Sequence, residues 1–191
     1  NASTNNPAPS EGSSTSGSTE VAATIPETST VSVGGKVLTS TVKGAYMSKT
    51  IPGTVVATDK ATLAAGYGLA PGEQPYVRVY DISEAKSPTA MTSINAAAGA
   101  VGGTVVATVN VELGKLAGGK FSLLAQGGAP ITMAFGIPKN AVKPGYAYAM
   151  ICVRPGGVIE VLPDLDADPN TVTFSTTGGL GAYAMIMYPV A

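Results

Sequence analysis

The chain has 191 residues, a length suited to one domain plus a tail; only 12% are charged, half the usual ~25%, and the net charge is −1. That balance gives no basic face that would argue for nucleic acid. There is no His, which excludes Ser-His-Asp and Cys-His catalysis and imidazole metal ligands, and no Trp, the best platform for stacking a sugar ring.

Residues 1–29 are dominated by Ser, Thr, Asn, Pro and Gly, opening NASTNNPAPSEGSSTSGSTE. They carry too little apolar surface to offset their ordering entropy and are expected to form a flexible tether, with residues 30–191 as a single domain. No signal-peptide pattern is read there, so the segment is expected to open a processed or a trimmed product. No run approaches the ~20 apolar residues of a membrane helix.

From Val31 the pattern changes. Val31 and Val33, then Val37 and Leu38, flank Gly34-Gly35 and predict a hairpin. Ala45 to Lys49 and Gly53 to Ala57 read as short strands. Thr58 is placed to cap a short helix containing Ala61, Leu63, Ala64 and Ala65, which glycines end. QPYVRVYDIS reads as a strand of mixed burial. Ser87 as N-cap and Pro88 at the first helical position start a second helix. Its Ala90, Met91, Ile94, Ala97, Ala98 and Val101 share one narrow face, expected to pack on a sheet, and Gly102-Gly103 stop it.

GTVVATVNVEL then reads as a strong strand, with Val105, Ala107, Val109 and Val111 on one face. KFSLLAQ and PITMAFGIP are further strands. The last third is almost wholly β: YAYAMICVR, a Pro155-Gly156-Gly157 turn, VIEVLP, an acidic loop, TVTFST, a glycine loop and AYAMIMYP. The fold expected is mainly β, α+β by strict count: a β-sandwich of short antiparallel strands with two inserted short helices. Cys152, the one cysteine, excludes an internal disulfide and is expected to be buried within its alternating apolar run.

The acidic loop places Asp164, Asp166 and Asp168 at alternate positions, as in a calcium-binding EF-hand. Position six of that register is Pro169 where Gly is needed, and position twelve is Ser175 where Glu is needed. Asp168-Pro169-Asn170 is instead turn chemistry, so the stretch is expected to be a hairpin connector between Val158–Leu162 and Thr171–Phe174. A looser calcium site on the three carboxylates stays open.

Ile137-Pro138, Pro144-Gly145, Gly156-Gly157, Leu162-Pro163, Asn170 to Phe174 and Tyr183-Ala184 follow one another in the last third. In this order they resemble a C-terminal β-rich module of secreted and cell-surface proteins of Gram-positive anaerobic bacteria. The resemblance implies a non-catalytic extracellular domain, a spacer or an adhesive part, without naming a ligand. With no sorting motif or anchor helix read before Ala191, attachment is expected through the tether or a partner.

No catalytic, cofactor-binding or metal-ligating set is assigned, and no cofactor is expected. The function expected is a structural or adhesive module, extracellular or attached to the cell surface, with cell-wall or host glycans and glycoproteins as possible partners. The alternative is a carbohydrate- or glycoprotein-binding domain using Tyr46, Tyr67, Tyr76, Tyr80 or Tyr146. A carboxylate-based hydrolase would draw on Glu73, Asp81, Glu84, Glu112 or Glu160, none of which sits in a supporting motif. A cross-linked adhesin domain would need a buried Lys, such as Lys43, joined to an Asn beside an acid.

Overall fold

The computed structural model describes residues 25–190, so the tether expected over residues 1–29 lies almost wholly outside the described residues. The chain runs β1 (Thr30–Val33), β2 (Lys36–Thr39), β3 (Lys43–Tyr46), β4 (Thr54–Val56), α1 (Lys60–Gly66), β5 (Glu73–Asp81) and α2 (Pro88–Ala100). It continues with β6 (Thr104–Ala117), β7 (Lys120–Leu123), β8 (Ile131–Gly136), a 3-10 turn (Lys139–Ala141), β9 (Tyr146–Val153), β10 (Ile159–Pro163), β11 (Thr171–Thr176) and β12 (Gly179–Pro189). The fold is β-rich α+β, with two helices set into several antiparallel sheets.

The large sheet has the order β10-β9-β12-β6-β5-β3, and β7 pairs the far end of β6 beyond β12. The small sheet has the order β11-β8-β4, and β1 with β2 forms a separate hairpin. Every pairing is antiparallel except β3 with β5, which is parallel and departs from the expected pattern. That parallel pair needs a close approach: a Cβ on Gly44 would lie 2.1 Å from the Val77 carbonyl oxygen. The hairpin turn is as expected, with Gly34 and Gly35 both at positive φ (60° and 82°), the conformation of a two-residue primed turn.

Period-two alternation sorts the large sheet's side chains into two cores. Val77, Val79, Val109, Val111, Met150 and Tyr183 point inward onto Met133, Phe135 and Phe174 of the small sheet. On the other face Ala149, Ile151, Ala182, Ala184 and Ile186 receive Ile94 and Ala98 of α2. The alanines let the helix sit close, as its Ala-rich face predicts. Val101 is the exception: it is the exposed C-cap of α2. Beyond the small sheet, Val31 of the β1–β2 hairpin covers Val55 and Ala134.

Three local expectations differ from the structure. The α1 cap is Asp59, whose carboxylate accepts from the Thr62 N–H; the Thr58 hydroxyl is occupied by the Thr132 N–H of β8 at 2.7 Å. In β6, Val105 does not share a face with Ala107. Ala107 opposes Met185 and Val105 opposes Ile186, so Val106 is an extra residue, a β-bulge that turns Val105 to the helix side and Val106 to the inner core. The glycines expected as a loop at 179–181 are already the start of β12.

The sheet margins are treated unequally. β3 is covered by residues 26 and 27, whose carbonyls accept from the Tyr46 and Gly44 N–H groups, so the packed chain is under way by Pro26. On β4, the N–H groups of Thr54 and Val56 donate to the Ser29 and Ser40 hydroxyls. On β11, the Leu165 N–H donates to the Thr173 carbonyl at 2.7 Å. β10 ends the large sheet with no backbone partner on its outer side among the described residues.

Candidate functional site

The acidic stretch joins β10 of the large sheet to β11 of the small one. It is a connector, but between sheets; the expected hairpin is not formed, because the two flanking strands pair with β9 and β8 respectively. Each carboxylate closes a loop on its own backbone. Asp164 Oδ1 accepts from the N–H groups of Asp166 and Thr173, both at 3.0 Å. Asp166 Oδ1 accepts from the Asp168 N–H (2.8 Å), while its Oδ2 accepts from the hydroxyls of Thr171 (2.9 Å) and Thr173 (2.6 Å). Asp168 accepts from the Asn170 N–H (2.8 Å) and, across the molecule, from the Gly34 N–H (2.7 Å).

These are repeated Asx turns, and the alternate spacing follows from them, since each aspartate bonds the residue two further on. With Leu165, the Asp164 carboxylate also closes the margin of β11. Burial raises the Asp164 carboxyl above the usual range, against the two N–H groups that pull it down. The N–H groups of Asn170 and Gly34 hold the Asp168 carboxyl below it. Among the described residues no group of three or more Cys, Asp and Glu is arranged to hold a metal ion.

Beside the connector lies an open cleft of about 650 Å³, walled by Lys143, Tyr146, Tyr148 and Tyr188 opposite the three aspartates. Two features the sequence singled out separately, the acidic stretch and Tyr146, therefore meet here. Tyr146 is 40% exposed and presents its ring to solvent. Tyr148 is fixed from beneath: its hydroxyl donates to the Ala141 carbonyl and accepts from the Lys143 N–H at 3.0 Å.

The other candidates are spent on the framework. Tyr46 is buried, hydrogen-bonded to Ser40 and to the Val42 carbonyl, and burial pushes its hydroxyl up to about 12. The Tyr67 hydroxyl bridges the Ala129 carbonyl and the Gly178 N–H. Tyr76 packs edge-on against Phe121. Tyr80 donates to Glu112 (2.8 Å) and accepts from Asn110 (2.9 Å). Glu112 also pairs with Arg78 at 3.2 Å, and Glu73 with Lys115 at 3.0 Å. Asp81 accepts from the Ser48 and Thr50 hydroxyls and the Lys49 N–H; these bonds outweigh its partial burial and hold its carboxyl below the usual range. Glu84 is exposed on a loop. Lys43 is exposed, which removes it as the buried lysine a cross-link would need.

The residue that sequence reasoning missed is Arg154. It is 1% exposed, at the end of β9. Its Nη1 donates to the carbonyls of Gly178 (2.9 Å) and Leu180 (3.3 Å); its Nη2 donates to the Thr176 and Thr177 hydroxyls (3.1 and 3.0 Å) and the Thr177 carbonyl (3.0 Å). Glu160 lies 3.6 Å from its Nε, the one buried side-chain polar atom left without a hydrogen bond among the described residues. A signal was available: alternation places Cys152 and residue 154 on the same inward face. Cys152 is buried as expected, and desolvation raises its thiol to about 11 although Arg154 and Tyr183 draw it down. A thiol held neutral in this way is inert as a nucleophile.

Compared with family models, curated proteins and solved structures, the chain matches none of them.

Proposed function

We propose that the domain is a non-catalytic extracellular module of structural or adhesive kind, belonging to a secreted or cell-surface bacterial protein. One observation carries this reading: the carboxylates of Glu73, Asp81, Glu112, Asp164, Asp166 and Asp168 are each engaged by donors of the chain itself. General acid–base chemistry needs a carboxyl free to meet a substrate proton, and two of them flanking one cleft for glycoside hydrolysis. The low charge and the motif order of the last third support the extracellular setting.

The cleft beside the acidic connector favours a second reading, a carbohydrate- or glycoprotein-binding domain. Tyr146 offers the flat apolar face on which a sugar ring stacks. The test is a glycan and glycoprotein array probed with the purified chain and its Tyr146→Ala variant. Binding is expected to weaken at least about tenfold in the variant, equivalent to 1.4 kcal/mol. Binding indifferent to Tyr146 would remove the cleft reading. Cleavage of an arrayed glycan, lost on neutralising a single carboxylate, would overturn the non-catalytic one.

In the described residues no helix is long and apolar enough to cross a membrane.

A further inference from the structure

We propose that β10 is a docking edge for a second copy of this chain, the two copies pairing β10 antiparallel about a two-fold axis through Val161 and so joining their large sheets. This goes beyond the functional reading above and does not depend on it.

The backbone sets the geometry. The Arg154 N–H donates to the Val158 carbonyl at 2.8 Å, so the main chain of Val158 faces β9. Alternation then turns the main-chain groups of Ile159, Val161 and Pro163 outward, where no described residue meets them. Pro163 has no N–H to give, which ends the available ladder there. Paired about Val161, each copy gives its Val161 N–H to the other's Val161 carbonyl and its Ile159 N–H to the other's Pro163 carbonyl. Each Ile159 carbonyl is left opposite a Pro163 that has no N–H to give, so the pairing is incomplete at both ends.

The side chains make the same edge apolar. Val158, Ile159 and Val161 are 55%, 43% and 53% exposed. Val161 and Pro163 also form one wall of a cavity of about 150 Å³ whose other wall includes Val101 of α2 and Tyr188. The open margins of β2 and β7 each carry a charge that discourages pairing, Lys36 and Lys120. On β10 the one charged residue, Glu160, is turned away and paired with Arg154. A net charge of −1 per chain leaves little repulsion between two copies. A strand of 5 residues with one apolar shelf falls short of the ~1,200 Å² of stable interfaces, so the dimer is a weak, concentration-dependent one.

The two-fold places residue 161 opposite itself, and that is what the experiment reads. Sedimentation velocity of the full chain from micromolar to millimolar concentration is expected to show a monomer–dimer equilibrium. The Val161→Lys and Val161→Glu variants, each bringing like charges face to face, are expected to raise the dissociation constant at least tenfold when run alone. An equimolar mixture of the two is expected to dimerise again. Thermal melts check that both variants fold. Should either not fold, amide hydrogen exchange of the unsubstituted chain replaces the comparison: protection of Ile159 and Val161 is expected to rise with concentration. A chain monomeric throughout, a dimer indifferent to both substitutions, a mixture that stays monomeric, or protection independent of concentration would overturn the proposal.

Discussion

Arg154→Ala is expected to lower the stability of the domain by about 3–5 kcal/mol, the range for breaking a buried charged network by removing one partner. The guanidinium is the common donor to the carbonyls of Thr177, Gly178 and Leu180, in the segment where the chain crosses from β11 in the small sheet to β12 in the large one. Removing it strands buried acceptors and leaves a void beside Cys152. Arg154→Lys recovers little, because one ammonium cannot reproduce a fork that serves carbonyls and two threonine hydroxyls at once. Urea denaturation measures it: the midpoint falls and the slope is unchanged. A loss below about 1 kcal/mol would show that water takes over these acceptors.

Phe174→Ala is expected to cost a similar amount, about 3–5 kcal/mol. Its ring is fully buried where the two sheets meet, edge-on to Phe135 with centroids 4.9 Å apart and 5.9 Å from Tyr183. The surrounding side chains belong to different sheets, so collapse into the space would require the sheets themselves to shift. Phe174→Leu keeps most of the volume and is expected to lose less than half as much in the same urea experiment.

Much of the fold was legible where the deciding forces are local. The Gly34-Gly35 turn is dictated by two positive φ angles. The second helix is announced by Ser87-Pro88 and by the spacing of Ile94 and Ala98. What stayed hidden depends on distant partners. VIEVLP and TVTFST alternate alike and have a turn between them, so local chemistry describes a hairpin. The choice of β9 and β8 as their separate partners is made by residues elsewhere in the chain. In VVA at 105–107 three apolar residues run together, and alternation cannot say which one bulges; the opposing Met185 and Ile186 decide.

The candidate site divides the same way. Alternate aspartates are a local pattern, and their bonding to residues two ahead is a local consequence. The reach of Asp168 to Gly34 is not, since it spans 134 residues of chain. Arg154 is hidden in the sequence because a charged residue next to a turn reads as surface. Its burial is possible only because the segment 176–180 folds its carbonyls and hydroxyls around the guanidinium.

If the aspartates serve the chain's own backbone, calcium has no place in the stability of the connector. The direct measurement is a thermal melt of the full chain in millimolar calcium and in chelator, for the unsubstituted protein and for Asp164→Ala combined with Asp166→Ala. The predicted result is no calcium-dependent shift in either protein, with the double variant melting several degrees lower in both buffers. That drop corresponds to the loss of hydrogen bonds to charged acceptors worth about 1–3 kcal/mol. Calcium bound to the folded state at a hundredfold excess over its dissociation constant would add ~2.7 kcal/mol. A clear calcium-dependent rise in the unsubstituted protein that disappears in the double variant would contradict the account.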